Sequence, residues 1–378
     1  MSPSSRKKKR VTYSSVGVNR VLRESSRRGI ASVLTSSSRS YRFGQVVHLP
    51  FGLLFPSPAR RDYYYDLQIE GVGSKTLLAE ITGDYSRIGI DAVAMAVNDV
   101  IRSGAEPFLL SDAIHISKSS PSVTRALVEG VLEGAKLAGC VLASGETGDV
   151  PEILHTSLRS NSLPFDMMVS ALGFVRKYDI IPGIVSPGDV VIGLESSGIH
   201  SNGLTLARKI LLKKWGGSFD SWDVPSPLSR PLVEEMLEPT KVYSQAISET
   251  RIQTGIKAAV HITGDGLAKF GRLIDWIRRN KGREVGFQFE NMGEIPAIFR
   301  LIYETSRRRK GALSSREMYQ TFNMGFGFAV VVDKNCEDAL LDRLNKHCRA
   351  IRIGRVVQKG AISIEDSELE NRRLILNR

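Results

Sequence analysis

Four acidic residues stand where strands or helices run into turns in the first half of this 378-residue chain: Glu70, Asp99, Asp112 and Glu146. Carboxylates of this kind suit a hard cation such as Mg²⁺ bridging nucleotide phosphates, with waters and phosphate oxygens completing its octahedron. Each acid taken singly also reads as a helix or turn cap, but four at element ends point to a shared role. Next to Glu70 lies GVGSKT, residues 71–76. A glycine-rich turn after a strand can aim backbone N–H groups at phosphate and set a lysine, here Lys75, beside it. It is not a Walker sequence, because Ser74 precedes Lys75 and Ile69 stands where the earlier glycine is required. A plain tight turn stays open as the other reading.

Two further segments carry chemistry. SSGIHSNG, residues 196–203, combines small residues with two glycines at the start of a helix, while His200 and Asn202 add polar side chains. Such a segment suits an anionic ligand, or it is a hydrogen-bonded turn with an incidental histidine. HITGDG, residues 261–266, has the same character and precedes another amphipathic helix.

The elements that must position these residues follow from periodicity. YYYDLQIE, residues 63–70, reads as a strand that Gly71 and Gly73 end abruptly. From Ser86, apolar residues at Ile90, Val93, Ala94, Val97, Val100 and Ile101 have helical spacing until Gly104, which places Asn98 and Asp99 near a helix C-terminus. Strand Phe108–Ile114, a helix from Pro121 to Gly139, a buried strand Cys140–Ala143 and strand Met167–Val175 complete the first half. A turn-rich connector then sets the domain boundary close to Lys177. In the second half, strand Val190–Leu194 leads through SSGIHSNG into a helix Leu204–Trp215, and a Pro/Ser-rich loop covers Gly216–Arg230. Near the end, strand Phe326–Val332, helix Glu337–Lys346 and strand Ile351–Val357 form a β-α-β unit.

Composition fits two packed α/β domains: 42% of residues are hydrophobic and 24% charged. The expected division is a basic arm at 1–12, an N-terminal domain at 13–176 and a C-terminal domain at 177–378. No apolar run approaches a membrane span and the first ten residues contain no apolar signal core, so a cytoplasmic protein is expected. The cysteines Cys140, Cys336 and Cys348 match neither a disulfide framework nor a zinc site, and reduced, buried thiols are expected. The net charge of +12 invites a nucleic-acid reading through Arg6–Arg10 and Arg307–Lys310. These clusters lack interleaved aromatics, however, and a basic surface equally suits an enzyme whose substrates are anionic phosphates.

Seven segments occur in the order of the motifs of phosphoribosylformylglycinamidine cyclo-ligase: GVGSKT, GIDAVAMAVNDVIRSGAEP, AGCVLASGETGDVP, SSGIHSNG, MLEPTKVY, HITGDG and EMYQTFNMGFG. The chain resembles that family from about Tyr13 to Val357. EMYQTFNMGFG and SSGIHSNG resemble this family in particular, rather than the wider superfamily of kinases, selenophosphate synthases and hydrogenase maturation proteins.

The resemblance implies an ATP-binding, dimerising N-terminal domain and a homodimer whose sheets meet. It also implies conversion of formylglycinamidine ribonucleotide and ATP into aminoimidazole ribonucleotide, ADP and phosphate. On that template Gly71, Gly73, Ser74, Lys75, Asn98, Asp99, Gly145, Glu146 and Thr147 bind ATP, and Glu70, Asp99, Asp112 and Glu146 hold Mg²⁺. Ser197, Gly198, His200, Ser201 and Asn202 meet the phosphorylated substrate, with His200, Lys75 and Asp99 catalytic. The chain departs from the family at Glu70, where DGVGTK has aspartate, and at Asp265, where glycine is usual. It departs again at YRFGQVVHLPFGLLFP, residues 41–56, which replaces a glycine-rich segment.

Other readings make distinct demands. A small-molecule kinase resembling thiamine-monophosphate kinase would form ADP without closing a ring. A selenophosphate synthase would need a reactive residue before Cys140, and a hydrogenase maturation protein a C-terminal cysteine where this sequence has ILNR. A catalytically dead protein binding RNA would have no need of Lys75, Asp99, Glu146 and His200 together.

Overall fold

The computed structural model describes residues 17, 19–158, 162–308, 312–358, 360–370 and 372–376. The basic arm at 1–12 and Lys310 lie outside the described residues. Helix α1 (Arg20–Ser38) is followed by strands β1 (Val47–Leu49), β2 (Gly52–Pro56) and β3 (Tyr63–Gly71). Helices α2 (Thr76–Thr82) and α3 (Ser86–Val100), strand β4 (Glu106–Ile116), helix α4 (Pro121–Ala138) and strands β5 (Val141–Asp149) and β6 (Phe165–Arg176) come next. These six strands form one mixed sheet in the order β1-β2-β3-β6-β4-β5.

Alternation makes this sheet one-sided. Along β6 the odd-numbered residues Phe165 to Val175 are buried while Asp166 to Phe174 are only half-buried, the period-2 pattern of a sheet covered on one face. The cover is α3 and α4. Of α3, every residue from Ala92 to Val100 is buried, because the helix lies between the sheet, α4 and the second half of the chain. Its close fit to α4 depends on glycine. A Cβ on Gly130 would overlap the Ser86 carbonyl oxygen, and one on Gly89 would overlap that of Leu127.

The second half contains α5 (Leu204–Leu211), α6 (Leu232–Leu237), α7 (Ser244–Thr254), α8 (Gly271–Lys281), α9 (Ala297–Arg307), α10 (Ser315–Thr321) and α11 (Glu337–Leu344). Its strands are β7 (Val190–Glu195), β8 (Ala258–His261), β9 (Gly286–Phe289), β10 (Phe326–Val332), β11 (Ala350–Val357), β12 (Ile362–Asp366) and β13 (Arg372–Leu376), in the order β13-β12-β9-β11-β7-β10-β8. β8 and β10 are buried at every residue, as expected of strands covered on both faces. The expected β-α-β unit is present but split. β10 and β11 both pair antiparallel with β7, which lies between them.

Three expectations need correction. The strand after Cys140 is an edge strand, mostly exposed rather than buried. The helix expected over Leu204–Trp215 stops at Leu211, where Leu212 turns extended, and Lys213–Trp215 is a separate 3-10 turn. The three cysteines are free but half-buried. Among the described residues no helix is long and apolar enough to cross a membrane.

Gly130→Ala forces α3 and α4 apart at a backbone contact. Urea unfolding should show it less stable than wild type by about 1–3 kcal/mol, the usual cost of overpacking.

Candidate functional site

The two halves meet along α3. At its start, Asp91 is fully buried and its carboxylate faces Lys75, with Nζ 2.7 and 2.9 Å from the two oxygens. Lys75 is 0% exposed and donates its third bond to the Glu238 carbonyl at 2.6 Å. Asp91 Oδ1 further accepts from Thr240 N (2.8 Å), Thr240 Oγ1 (2.5 Å) and Ser201 Oγ (3.0 Å). Desolvation lowers the Lys75 pKa against the pull of Asp91. Two charges survive burial because nearly every polar atom is answered.

Two turns on, Asn98 binds the same segment of the second half, donating to Lys241 O at 2.8 Å and accepting from Tyr243 N at 2.9 Å. Ser74 reaches Thr205 Oγ1 at 3.0 Å, and its carbonyl accepts from Arg208. Gly73, at φ 56°, makes the turn that permits this docking.

At the end of α3 a second charged cluster forms. Asp99 accepts from Arg102 Nη2 at 2.7 Å and lies 2.7 Å from His261 Nδ1. Burial alone would raise the Asp99 carboxyl, but Arg102, Lys269 and His261 outweigh it and hold it far below the ordinary range. Burial pushes Glu70 up to about 7, with the Asp99 charge adding to the effect. Burial lowers Lys269 to about 7 and His261 to about 4, in each case against Asp99. Asp66, also buried, is raised to about 6. Phe51, from the turn between β1 and β2, has its ring 5.2 Å from the Arg102 guanidinium and 6.0 Å from Lys269 Nζ.

His200 is 2% exposed and holds a left-handed φ of 63°. Its Nε2 faces Ser197 N at 3.2 Å and Lys241 N at 3.5 Å, which assigns the proton to Nδ1. That Nδ1 is buried without a hydrogen-bond partner among the described residues. Burial, reinforced by the Lys75 and Lys241 cations, keeps the imidazole neutral. Ser197 Oγ donates to Pro239 O at 2.5 Å, and Asn323 holds the loop from behind through the Gly198 and Ile199 carbonyls. Asn202 faces Met95 and Gly264.

The expected acidic set does not converge. Glu70 and Asp99 belong to one cluster. Glu70, Val169, Asp112 and Gly145 form one cross-strand row, so Asp112 shares the inner face with Glu70 but stands two strands away. Glu146 pairs with Ala113, the residue beside Asp112, and strand alternation therefore puts it on the opposite face. Thr147 returns to the inner face beside Ile114. Among the described residues no group of three or more His, Cys, Asp or Glu could hold a metal ion. Lys75 is committed to Asp91 rather than open to a phosphate. Asp91, Thr240, His261, Lys269 and Phe51 carry geometry that sequence reading left without a role. A charged residue inside the apolar run of α3 was the available signal for Asp91.

Residues 58–175 match the N-terminal domain of AIR synthase related proteins, and residues 186–367 match their C-terminal domain. Among solved structures, the hydrogenase maturation protein HypE shares the fold at TM-score 0.55 and 15% identity, covering 77% of this chain and 82% of that one. T. maritima PurL complexed with ATP does so at 0.52 and 17%, covering 87% of this chain and 44% of that one. The fold is thus that of the AIR synthase related proteins. The phosphoribosylformylglycinamidine cyclo-ligase of Thermococcus kodakarensis is 37% identical over 306 residues, 81% of this chain and 83% of that protein. Its namesake from Pyrococcus furiosus is 34% identical over 365 residues, 94% and 98% of the two. The chain belongs to the phosphoribosylformylglycinamidine cyclo-ligase family.

The neutral, buried His261 has a pH signature. An unfolded histidine takes up its proton near pH 6.5, the folded one only near 4. The unfolded state therefore binds more protons in that window, and stability falls as pH is lowered through it. Glu70 and Asp66, both raised, act with the opposite sign, so a difference measurement isolates the histidine. Wild type should lose stability relative to His261→Gln by up to about 1.4 kcal/mol per pH unit between 6.5 and 4. Urea titrations at several pH values check this, with no trend expected above 7.

Proposed function

We infer that this chain is an ATP-dependent ligase of purine biosynthesis that closes the imidazole ring of aminoimidazole ribonucleotide. The observation that carries this reading is the convergence of the family motifs. All but AGCVLASGETGDVP meet along the seam between the halves: Lys75 with Glu238, Asp91 with Ser201 and Thr240, Asp99 with His261, and Asn323 with the SSGIHSNG loop. The proposed chemistry is transfer of the ATP γ-phosphoryl group to the formyl amide oxygen of formylglycinamidine ribonucleotide. The substrate's amidine nitrogen then attacks the activated carbon, phosphate departs with the oxygen and the ring closes.

We assign the ATP phosphates to the turn Gly71–Ser74 beside Asp99, where Arg102 and Lys269 supply positive charge, with Lys75 and Asn98 seating that turn from behind rather than touching phosphate. Thr147 and Gly145 share the inner face and stay in the proposed ATP set, while Glu146 would have to act from the other face. The carboxylates present do not fit a preformed Mg²⁺ site, since Asp99 is already taken by Arg102 and His261 and Glu146 points away. Magnesium is proposed to enter as part of the nucleotide complex. The phosphorylated substrate is assigned to Ser197, Gly198, Ser201 and Asn202, and the chain is read as two domains dividing near Lys177 in a cytoplasmic protein.

His200 is proposed as a positioning residue for that loop rather than a group in contact with substrate. With purified protein, Mg²⁺, ATP and formylglycinamidine ribonucleotide, ADP and ring product should form one for one. ADP formed only with thiamine monophosphate would make the protein a kinase instead. His200→Ala should lower kcat about a hundredfold with its circular dichroism unchanged. His200→Asn, which tolerates φ 63° and can accept a hydrogen bond, should restore part of it, whereas loss of fold alone would move neither kcat nor KM selectively.

A homodimer is proposed through the outer face of the first sheet. There Leu67, Leu172, Leu109 and Val141 form one apolar row across four strands, with Leu67 and Val141 exposed by 62% and 64%. Such a patch calls for a partner. Leu67→Arg should convert a dimer to a folded monomer in light scattering, and an unchanged mass would remove this face from the assembly.

A further inference from the structure

Helix α5 reaches back across the seam through Arg208, whose Nη1 donates to the carbonyl of Ser74, 134 residues earlier. Thr205, one turn before it on the same helix face, meets Ser74 Oγ at 3.0 Å. The Gly71–Ser74 turn is thus held from the second half by two side chains of one helix. The Arg208 side chain is buried, 4% exposed, with its guanidinium 5.0 Å from the centroid of the Trp215 ring.

Arg208 differs from the other cations buried along the seam. Lys75 and Arg102 each have a carboxylate oxygen at 2.7 Å, and the Lys269 ammonium donates to Thr263 Oγ1 at 2.6 Å within the pull of the Asp99 charge. Among the described residues no carboxylate pairs with Arg208, and its buried Nε has no hydrogen-bond partner. Burial lowers its pKa to about 10, with no anion acting against that, so the group keeps its charge at neutral pH.

Taking a cation out of water without a counter-ion is costly, and one hydrogen bond to a carbonyl does not offset that cost. A tie that only joins the two halves needs the donor and not the charge; a neutral amide would serve. The charge therefore points to an anion that arrives as ligand, and the contact says where. Ser74 closes the glycine turn, and its carbonyl oxygen, a group that repels phosphate, is drawn onto Arg208. The Trp215 ring shields the guanidinium, so solvent screens its charge only weakly.

We propose that Arg208 is a positioning residue for anion binding at the Gly71–Ser74 turn: it holds the Ser74 carbonyl back from the ligand, and its unpaired charge is answered by the ligand's phosphate groups. The ligand class is a polyphosphate anion. This inference rests on the assignment of nucleotide phosphates to that turn.

The test is isothermal titration calorimetry of the full chain with inorganic tripolyphosphate at physiological ionic strength, which needs neither turnover nor the ring substrate. Wild type should bind stoichiometrically. Arg208→Gln, which keeps an N–H donor for Ser74 but no charge, should bind about tenfold more weakly, and Arg208→Lys, which keeps the charge, should recover most of the loss. Should circular dichroism show Arg208→Gln unfolded, Arg208→Met, which fills the space beside Trp215, carries the same expectation. A folded neutral variant that binds as tightly as wild type would overturn the proposal and leave the phosphate assignment standing, as would Arg208→Lys binding no better than the neutral variant. No binding by wild type would remove the phosphate assignment, and this inference with it.

Discussion

The Lys75–Asp91 pair is the constraint on which the remaining geometry depends. Both groups are fully buried, and neither half of the chain could keep them there alone. The lysine's third partner is the Glu238 carbonyl, and the carboxylate's remaining donors are Thr240 and Ser201. Removing one member of such a pair leaves an unanswered charge at a cost of about 3–5 kcal/mol. The second half must therefore seat in the one register that brings residues 238–240 and Ser201 to α3. With that seating fixed, Asn98 finds Lys241 and Tyr243, and Asp99 finds His261.

Much of the scaffold was legible because hydrophobic periodicity is a local signal. Strands β3, β4, β6, β7, β10 and β11 and helices α3 and α4 all stand where alternation or helical spacing placed them, and Gly104 and Gly139 end their segments in left-handed turns. What spacing could not convey was neighbourhood. β5 carries apolar residues yet lies at a sheet edge, and sheet order is a property of the whole chain. The short helix α5 stops because Leu212 pairs with Phe219, a contact invisible to a helical wheel.

The site was legible in its membership more than in its roles. Glycine, acid and amide positions pointed to the correct segments, since such residues are rarely placed at element ends without cause. Across the seam between the halves their partners lie 110 to 162 residues away. Lys75 looked like a phosphate ligand because a lysine after a glycine turn often is one, but an aspartate sixteen residues later claims it. Glu146 looked equivalent to Asp112 until the register put them on opposite faces. Lys269 carried no signal at all, because the Phe51 ring over it comes from a distant turn in the first half.

Asp91 and Thr240 are separated by 149 positions, and this has a consequence for how the protein is made. At about 5–20 residues per second of synthesis, the first sheet and its two helices emerge many seconds before the segment that caps the Lys75–Asp91 pair. Throughout that interval the nascent first half presents to water a charged notch, with an apolar sheet face behind it. Both ions keep their hydration until residues 238–240 arrive, so their desolvation is deferred to the docking of the second half.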